Sequence, residues 1–131
     1  MSKILKNPTL FVDIDGTLVK YRKFSELEES TLTPIQDVID YVNSHHDNGS
    51  VVVITTARPE SYRLFTKQEL EKIGVRYSQL IMEMGRGTRV ILNDIDPDNQ
   101  ELPRAIGINL ERDGGLKDIT IPSYISPYES D

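Results

Sequence analysis

Short unbroken apolar runs alternate along the chain with stretches of helical period. Leu10-Phe11-Val12 stops abruptly at Asp13-Ile14-Asp15-Gly16-Thr17, the pattern of a buried strand that emerges into a polar loop. Residues 18–32 are charged and weakly periodic, with Tyr21 and Phe24 as their only aromatics, which predicts a loop or a small hairpin flap. Thr33-Pro34 then offers an N-cap followed by proline at the first helical position. Ile35, Val38, Ile39 and Val42 repeat at i, i+3, i+4 and i+7, predicting an amphipathic helix that Gly49 stops. Val51-Val52-Val53-Ile54-Thr55 is a β-branched run suited to a parallel strand covered on both faces. Glu60 to Ile73 is helix-compatible and is closed by Gly74. Strand signals return at Leu80-Ile81-Met82, Val90-Ile91-Leu92 and Ala105-Ile106-Gly107-Ile108. The tail, residues 113–131, has little periodicity and reads as a packed coil, an edge strand or a frayed end.

Strands alternating with helices through short connections predict an α/β fold: a three-layer, Rossmann-like open parallel sheet with helices on both faces. Ligands of such sheets bind beyond the carboxyl ends of the strands. Three of the expected strands end in polar chemistry: Asp13 and Asp15, then Thr55, Thr56 and Arg58, then Asn93 and Asp94.

The length of 131 residues fits one domain, 1–131, with no room for a second. With 37% hydrophobic and 27% charged residues, and no apolar run near the roughly 18 residues that span a bilayer, the composition predicts a water-soluble protein without a membrane partner. The N-terminal apolar stretch runs straight into acidic residues without a small-residue cleavage site, so no signal peptide is expected and a cytoplasmic location is inferred. The absence of cysteine excludes disulfides, thiolate nucleophiles and sulfur-bound zinc. Asn48-Gly49-Ser50 matches a glycosylation sequon, for which chance is the better explanation. The formal charge of -6, with carboxylates gathered at Asp94, Asp96 and Asp98, carries no basic footprint for nucleic acid. Acidic groups massed where a phosphate would bind call for a cation between them.

Asp13 and Asp15 share one side of an extended strand, where two carboxylates repel unless something offsets the cost. Magnesium does so with hard oxygen ligands, commonly one or two carboxylates plus water and phosphate. Gly16 lets the chain bend, and Thr17 offers a hydroxyl or amide. The competing reading is an aspartate capping ordinary turn chemistry. Thr56 could hold a phosphate oxygen or merely cap the next helix, and Arg58 could make a bidentate phosphate contact or lie on the surface. Asp94, closest to its strand end, is the expected third carboxylate of a metal site, whereas Asp96 and Asp98 also suit an acidic turn.

Taken together, DIDGTLV, ITTARP and ILNDID resemble the first, second and fourth motifs of the haloacid dehalogenase superfamily, in order, over roughly Leu10 to Leu110. Gly74-Val75-Arg76-Tyr77 followed by Leu80-Ile81-Met82 is similar to small capless members associated with bacterial capsule and surface-sugar gene clusters. The resemblance implies a phosphatase in which Asp13 is the nucleophile and Asp15 the general acid/base. It further implies that Thr56 assists catalysis, that Gly16, Thr17 and Arg58 bind substrate, and that Mg2+ would be held by Asp13, Asp94 and the Asp15 carbonyl. The lysine of the third motif is missing from Glu83-Met84-Gly85-Arg86-Gly87-Thr88-Arg89, which leaves Arg89 or Arg86, or Lys67 or Lys72 on the preceding helix, to supply that charge.

Neither interval between motifs has room for a cap domain. An uncapped site accepts a terminal phosphate on something large or borrows walls from a second subunit, so a homo-oligomer is one expectation. Tyr21, Arg22 and Phe24 on the flap are candidates for substrate contact, against the plainer reading of a solvated hairpin. His45 and His46 read as dipole partners at a helix C-terminus rather than as metal ligands. The expected activity is hydrolysis of a phosphomonoester, a phosphorylated sugar or related small metabolite. The alternatives are a 3′-phosphatase on nucleotide or nucleic-acid ends and a binding or regulatory protein with weak catalysis.

Overall fold

In the computed structural model, residues 7–127 are described. The first residues of the N-terminal stretch and the last four of the tail, 128–131, lie outside them. Three parallel strands, β1 (Leu10–Asp13), β2 (Val52–Thr55) and β3 (Gln79–Ile81), form a sheet in that order. Helix α1 (Gln36–Asp47) connects β1 to β2, and α2 (Arg63–Ile73) connects β2 to β3. The architecture is α/β with an open parallel sheet.

The register pairs Val12 with Ile54 and Ile54 with Leu80, so these residues line one face. Val38, Ile39 and Val42 of α1 and Leu70 of α2 join them in a single buried cluster. Both helices therefore cover the same face, which corrects the expectation of helices on both. The reason is handedness: right-handed crossovers between strands added in one direction across a sheet return on the same side. On the opposite face Phe11 and Ile81 stay exposed.

The expected strands at Val90-Ile91-Leu92 and Ala105–Ile108 do not form, and residues 83–110 contain no helix or strand. Val90 and Leu92 are 75% and 92% exposed. Strand preference reflects fit to a pleated, half-buried surface, and here the run meets neither a partner strand nor cover.

Helix α1 begins later than Thr33-Pro34 predicts, with extended Ile35 as its N-cap and no side-chain cap. Thr33 and Pro34 are occupied instead in closing the preceding loop: the Lys20 amide donates to the Thr33 carbonyl at 2.8 Å, the Ile35 amide to Leu18 at 2.8 Å, and Val19 bridges Pro34. Leu18, Val19 and Leu27 are buried, so residues 18–32 form an anchored loop rather than a solvated flap. Gly74 caps α2 in the left-handed conformation (φ 74°) as expected.

The tail packs as a coil along α1, one of its expected forms. The Leu116 amide donates to Asp37 Oδ2 at 2.9 Å, the Tyr41 hydroxyl to the Ile125 carbonyl at 3.0 Å, and Asn48 to the Pro127 carbonyl at 2.9 Å. His45 is buried, and because a carbonyl can only accept, its Nε2 donates to Ile125 at 2.7 Å. Its ring thus ties down the tail instead of serving the helix dipole. Among the described residues, no helix is long and apolar enough to cross a membrane.

Candidate active site

The carboxyl ends of β1 and β2 lie side by side, with Asp13 in register with Thr55. Beyond Asp13 the chain turns at once, because the Ile14 carbonyl accepts from the amides of Thr17, Leu18 and Val19. Gly16 makes this turn with φ 86°, and a Cβ there would meet Arg112 Cγ at 3.2 Å. The turn gives the two carboxylates different surroundings: Asp13 keeps 41% of its side chain exposed and Asp15 only 7%.

Asp13 is the open carboxylate. Partial burial pushes its pKa above the ordinary value, with help from the Asp15 charge; the Ile14 amide, Arg89 and the Thr17 hydroxyl pull the other way. Arg89 Nη2 stands 3.8 Å from Asp13 Oδ1. Of the two arginines expected to replace the missing lysine, Arg89 therefore reaches the carboxylate, whereas Arg86 lies over the Phe24 ring at 4.5 Å. Lys67 lines a separate cleft with His46, Glu71 and Arg76.

Asp15 is the closed one. Arg58 Nη2 donates to its Oδ1 at 2.9 Å and Arg58 Nε to its Oδ2 at 3.1 Å. Arg58 is 0% exposed, and its Nη1 donates to Thr66 Oγ1 at 3.1 Å and Glu69 Oε1 at 2.9 Å. Burial works against the Arg58 charge, but bonds to Asp15 and Glu69 outweigh it and hold its pKa above the usual arginine value. The residue expected to contact phosphate thus spends its guanidinium on the protein. Thr56 is also buried, and its Oγ1 accepts from the Arg58 amide at 3.1 Å, shaping its own loop rather than capping a helix.

Asp94 is exposed and pairs with Arg104 at 3.4 Å. Asp96 accepts the Asp98 amide at 2.9 Å, the turn reading of that acidic run. Among the described residues, no three His, Cys, Asp or Glu side chains converge to hold a metal ion. Asp13, Thr17 and Arg89 are brought together; Asp94 does not join them.

Three participants escape sequence reasoning. The Asp113 amide donates to the Gly16 carbonyl at 2.9 Å, while Asp113 Oδ1 accepts the Tyr21 amide at 2.7 Å. The Arg112 guanidinium lies over the Tyr21 ring at 3.9 Å. Glu69, an apparently ordinary helix residue, accepts from both Arg58 and Arg22.

No family model and no curated protein matches the chain. Among solved structures, the crystal structure of a structural-genomics target from Vibrio cholerae is similar, with 20% identity and a TM-score of 0.46 over 73% of this chain and 89% of that one. A likeness of this degree supports neither a family nor a function.

Proposed function

We propose that the chain is a phosphomonoester hydrolase of the haloacid dehalogenase type, without a cap domain, acting on a phosphorylated sugar or related small metabolite. The observation that carries this reading is Asp13: a half-open carboxylate at a strand's carboxyl end, hydrogen-bonded by Thr17 and faced by Arg89. A carboxylate approaching an anionic phosphate needs positive charge beside it, and Arg89 stands where that charge is required.

In the proposed reaction an Asp13 oxygen attacks phosphorus, and the bond to the leaving oxygen breaks as an aspartyl-phosphate forms. Asp15 gives that oxygen its proton. As a carboxylate, Asp15 then accepts a proton from water while the water oxygen bonds phosphorus, releasing inorganic phosphate and Asp13. Both Asp15 oxygens rest on Arg58, so proton transfer requires one of them to turn away. Arg58 stays in place because Thr66 and Glu69 hold its Nη1.

The reading implies Mg2+. Its donor chemistry fits Asp13, since magnesium commonly takes one or two carboxylates and completes its shell with water and substrate phosphate. Asp94 would contribute only on leaving Arg104. When bound, the ion would neutralise phosphate charge and orient the phosphoryl group.

The test is magnesium-dependent phosphate release from 4-nitrophenyl phosphate by wild type and Asp13→Asn. Loss of release in the variant, and in wild type with chelator, is expected; equal rates would overturn the proposal. The clamp on Asp15 favours a second reading, a phosphate-binding protein with little turnover. That protein would bind phosphate through Arg89 yet release none from the ester. The formal charge of -6 weighs against nucleic-acid ends as substrate.

A further inference from the structure

Asp15, Arg58, Glu69 and Arg22 form one unbroken buried run of alternating charge. Arg58 joins Asp15 through two bonds, and Glu69 Oε1 is the junction beyond it, accepting from Arg58 Nη1 and Arg22 Nη2, each at 2.9 Å. Arg22 Nη1 also reaches the Leu27 carbonyl at 3.3 Å, while Arg22 Nε is buried with no partner. Two of the three guanidinium nitrogens of Arg22 are thus bonded, and its ionic partner is Glu69. The run crosses the Asp13 loop, the loop after β2, helix α2 and the anchored loop of residues 18–32.

We propose that Glu69 is the positioning residue for Asp15, acting through Arg58. The inference rests on the reading of Asp15 as general acid/base. A guanidinium is planar, with five donors in a fixed fork. Glu69 and Thr66 hold the Nη1 corner, and this fixes the direction in which the Nε–Nη2 edge faces Asp15. Charge balance matters equally. Two carboxylates and two guanidiniums cancel, leaving Asp15 one half-shared arginine from which an oxygen can turn toward substrate. Neutralising Glu69 leaves two buried cations and one buried anion, so Asp15 is held more tightly and its turn toward substrate is opposed.

A positioning role and a merely structural one differ in their dependence on the leaving group. Nitrophenolate leaves without a proton, whereas an alkoxide needs one. The experiment compares wild type, Glu69→Gln and Glu69→Asp on 4-nitrophenyl phosphate and on glycerol phosphate. Because Asp15 also serves the water step that both esters share, the reading is the first turnover: Glu69→Gln is expected to leave the burst rate of nitrophenolate within about 3-fold and to lower the single-turnover rate on the alkyl ester on the order of 100-fold. Glu69→Asp, which keeps the charge at a shorter reach, should lose less on the alkyl ester. Equal losses in the first turnover of both esters overturn the proposal.

If wild type hydrolyses neither ester, the phosphatase reading fails by itself, and the geometry is read from the Arg58 Nε–H in 15N NMR. Protection from exchange in wild type and its loss or marked shift in Glu69→Gln support positioning. A resonance that does not respond to Glu69→Gln overturns it.

Discussion

Asp15 and Arg58, 43 positions apart, meet through two side-by-side hydrogen bonds inside the protein, and neither side chain is more than 7% exposed. Removing one member of a buried pair leaves the other charge uncompensated, at a cost of about 3–5 kcal/mol. Arg58→Ala strands Asp15 and leaves Glu69 with Arg22 as its remaining cation, and is expected to lower stability by that amount. Arg58→Lys keeps the charge but loses the fork, and should fall in between. Urea unfolding midpoints check the order, and an Arg58→Ala loss under 1 kcal/mol contradicts the burial described.

Arg89 presents the opposite case. Its pair with Asp13 spans 3.8 Å between half-exposed groups, and such surface pairs contribute about 0–1 kcal/mol. Arg89→Ala should therefore leave the unfolding midpoint nearly unchanged while weakening inhibition by inorganic phosphate roughly 10-fold, or about 1.4 kcal/mol. Arg86→Ala, which removes the stack on Phe24, should change phosphate inhibition less. A larger effect from Arg86 would transfer the phosphate role to it.

Asp113 latches the tail onto the site loop from a left-handed backbone conformation, φ 64°. Asp113→Ala loses the acceptor of the Tyr21 amide and places alanine where asparagine and aspartate are better tolerated. We expect a loss of about 1–3 kcal/mol and faster amide exchange at Tyr21, with Asp113→Asn closer to wild type. Unchanged exchange in Asp113→Ala would show that the latch does not hold the loop.

Burial holds the His45 pKa below the ordinary histidine value, outweighing the upward pull of its bond to Ile125. In the window between the folded and unfolded values, the unfolded chain binds the extra proton, so stability rises with pH. The His45 contribution is complete above about 6.5 and is lost as pH falls through the lower folded value. Relative to wild type, His45→Gln should flatten the stability profile just below pH 6.5, as read from thermal unfolding at closely spaced pH values. A profile parallel to wild type would assign that slope to other groups.

Much of the framework is legible locally. Leu10–Asp13, Val52–Thr55 and Gln79–Ile81 fall on or beside the expected strand runs, and the central one, Val52–Thr55, is the most legible because a strand covered on both faces is apolar throughout. Helix α2 ends where Gly74 takes a left-handed cap, a conformation glycine adopts without steric cost. The run at residues 90–92 misleads for a related reason. Its composition suits a strand, but a strand requires a partner edge, which no local pattern reports.

At the site, Asp13, Gly16 and Thr17 are readable because a strand end, a bend and two acidic residues fall within five consecutive positions. Arg89 was one of several cations within reach, and only packing separates it from Arg86. Glu69 and Asp113 carry no local signal, since charged residues in helices and loops ordinarily face water, whereas Arg22, singled out in the sequence as a substrate contact, is instead buried against Glu69.

By itself, then, the sequence determined where strands and helices could form and which carboxylates would stand at a strand's carboxyl end, because propensity, periodicity and turn chemistry act over a few neighbouring residues. The tertiary structure alone decided that Asp13 stays open while Asp15 is enclosed. That difference depends on Arg58, Glu69 and Arg22 being brought together from distant positions, where burial makes each charge require its partner.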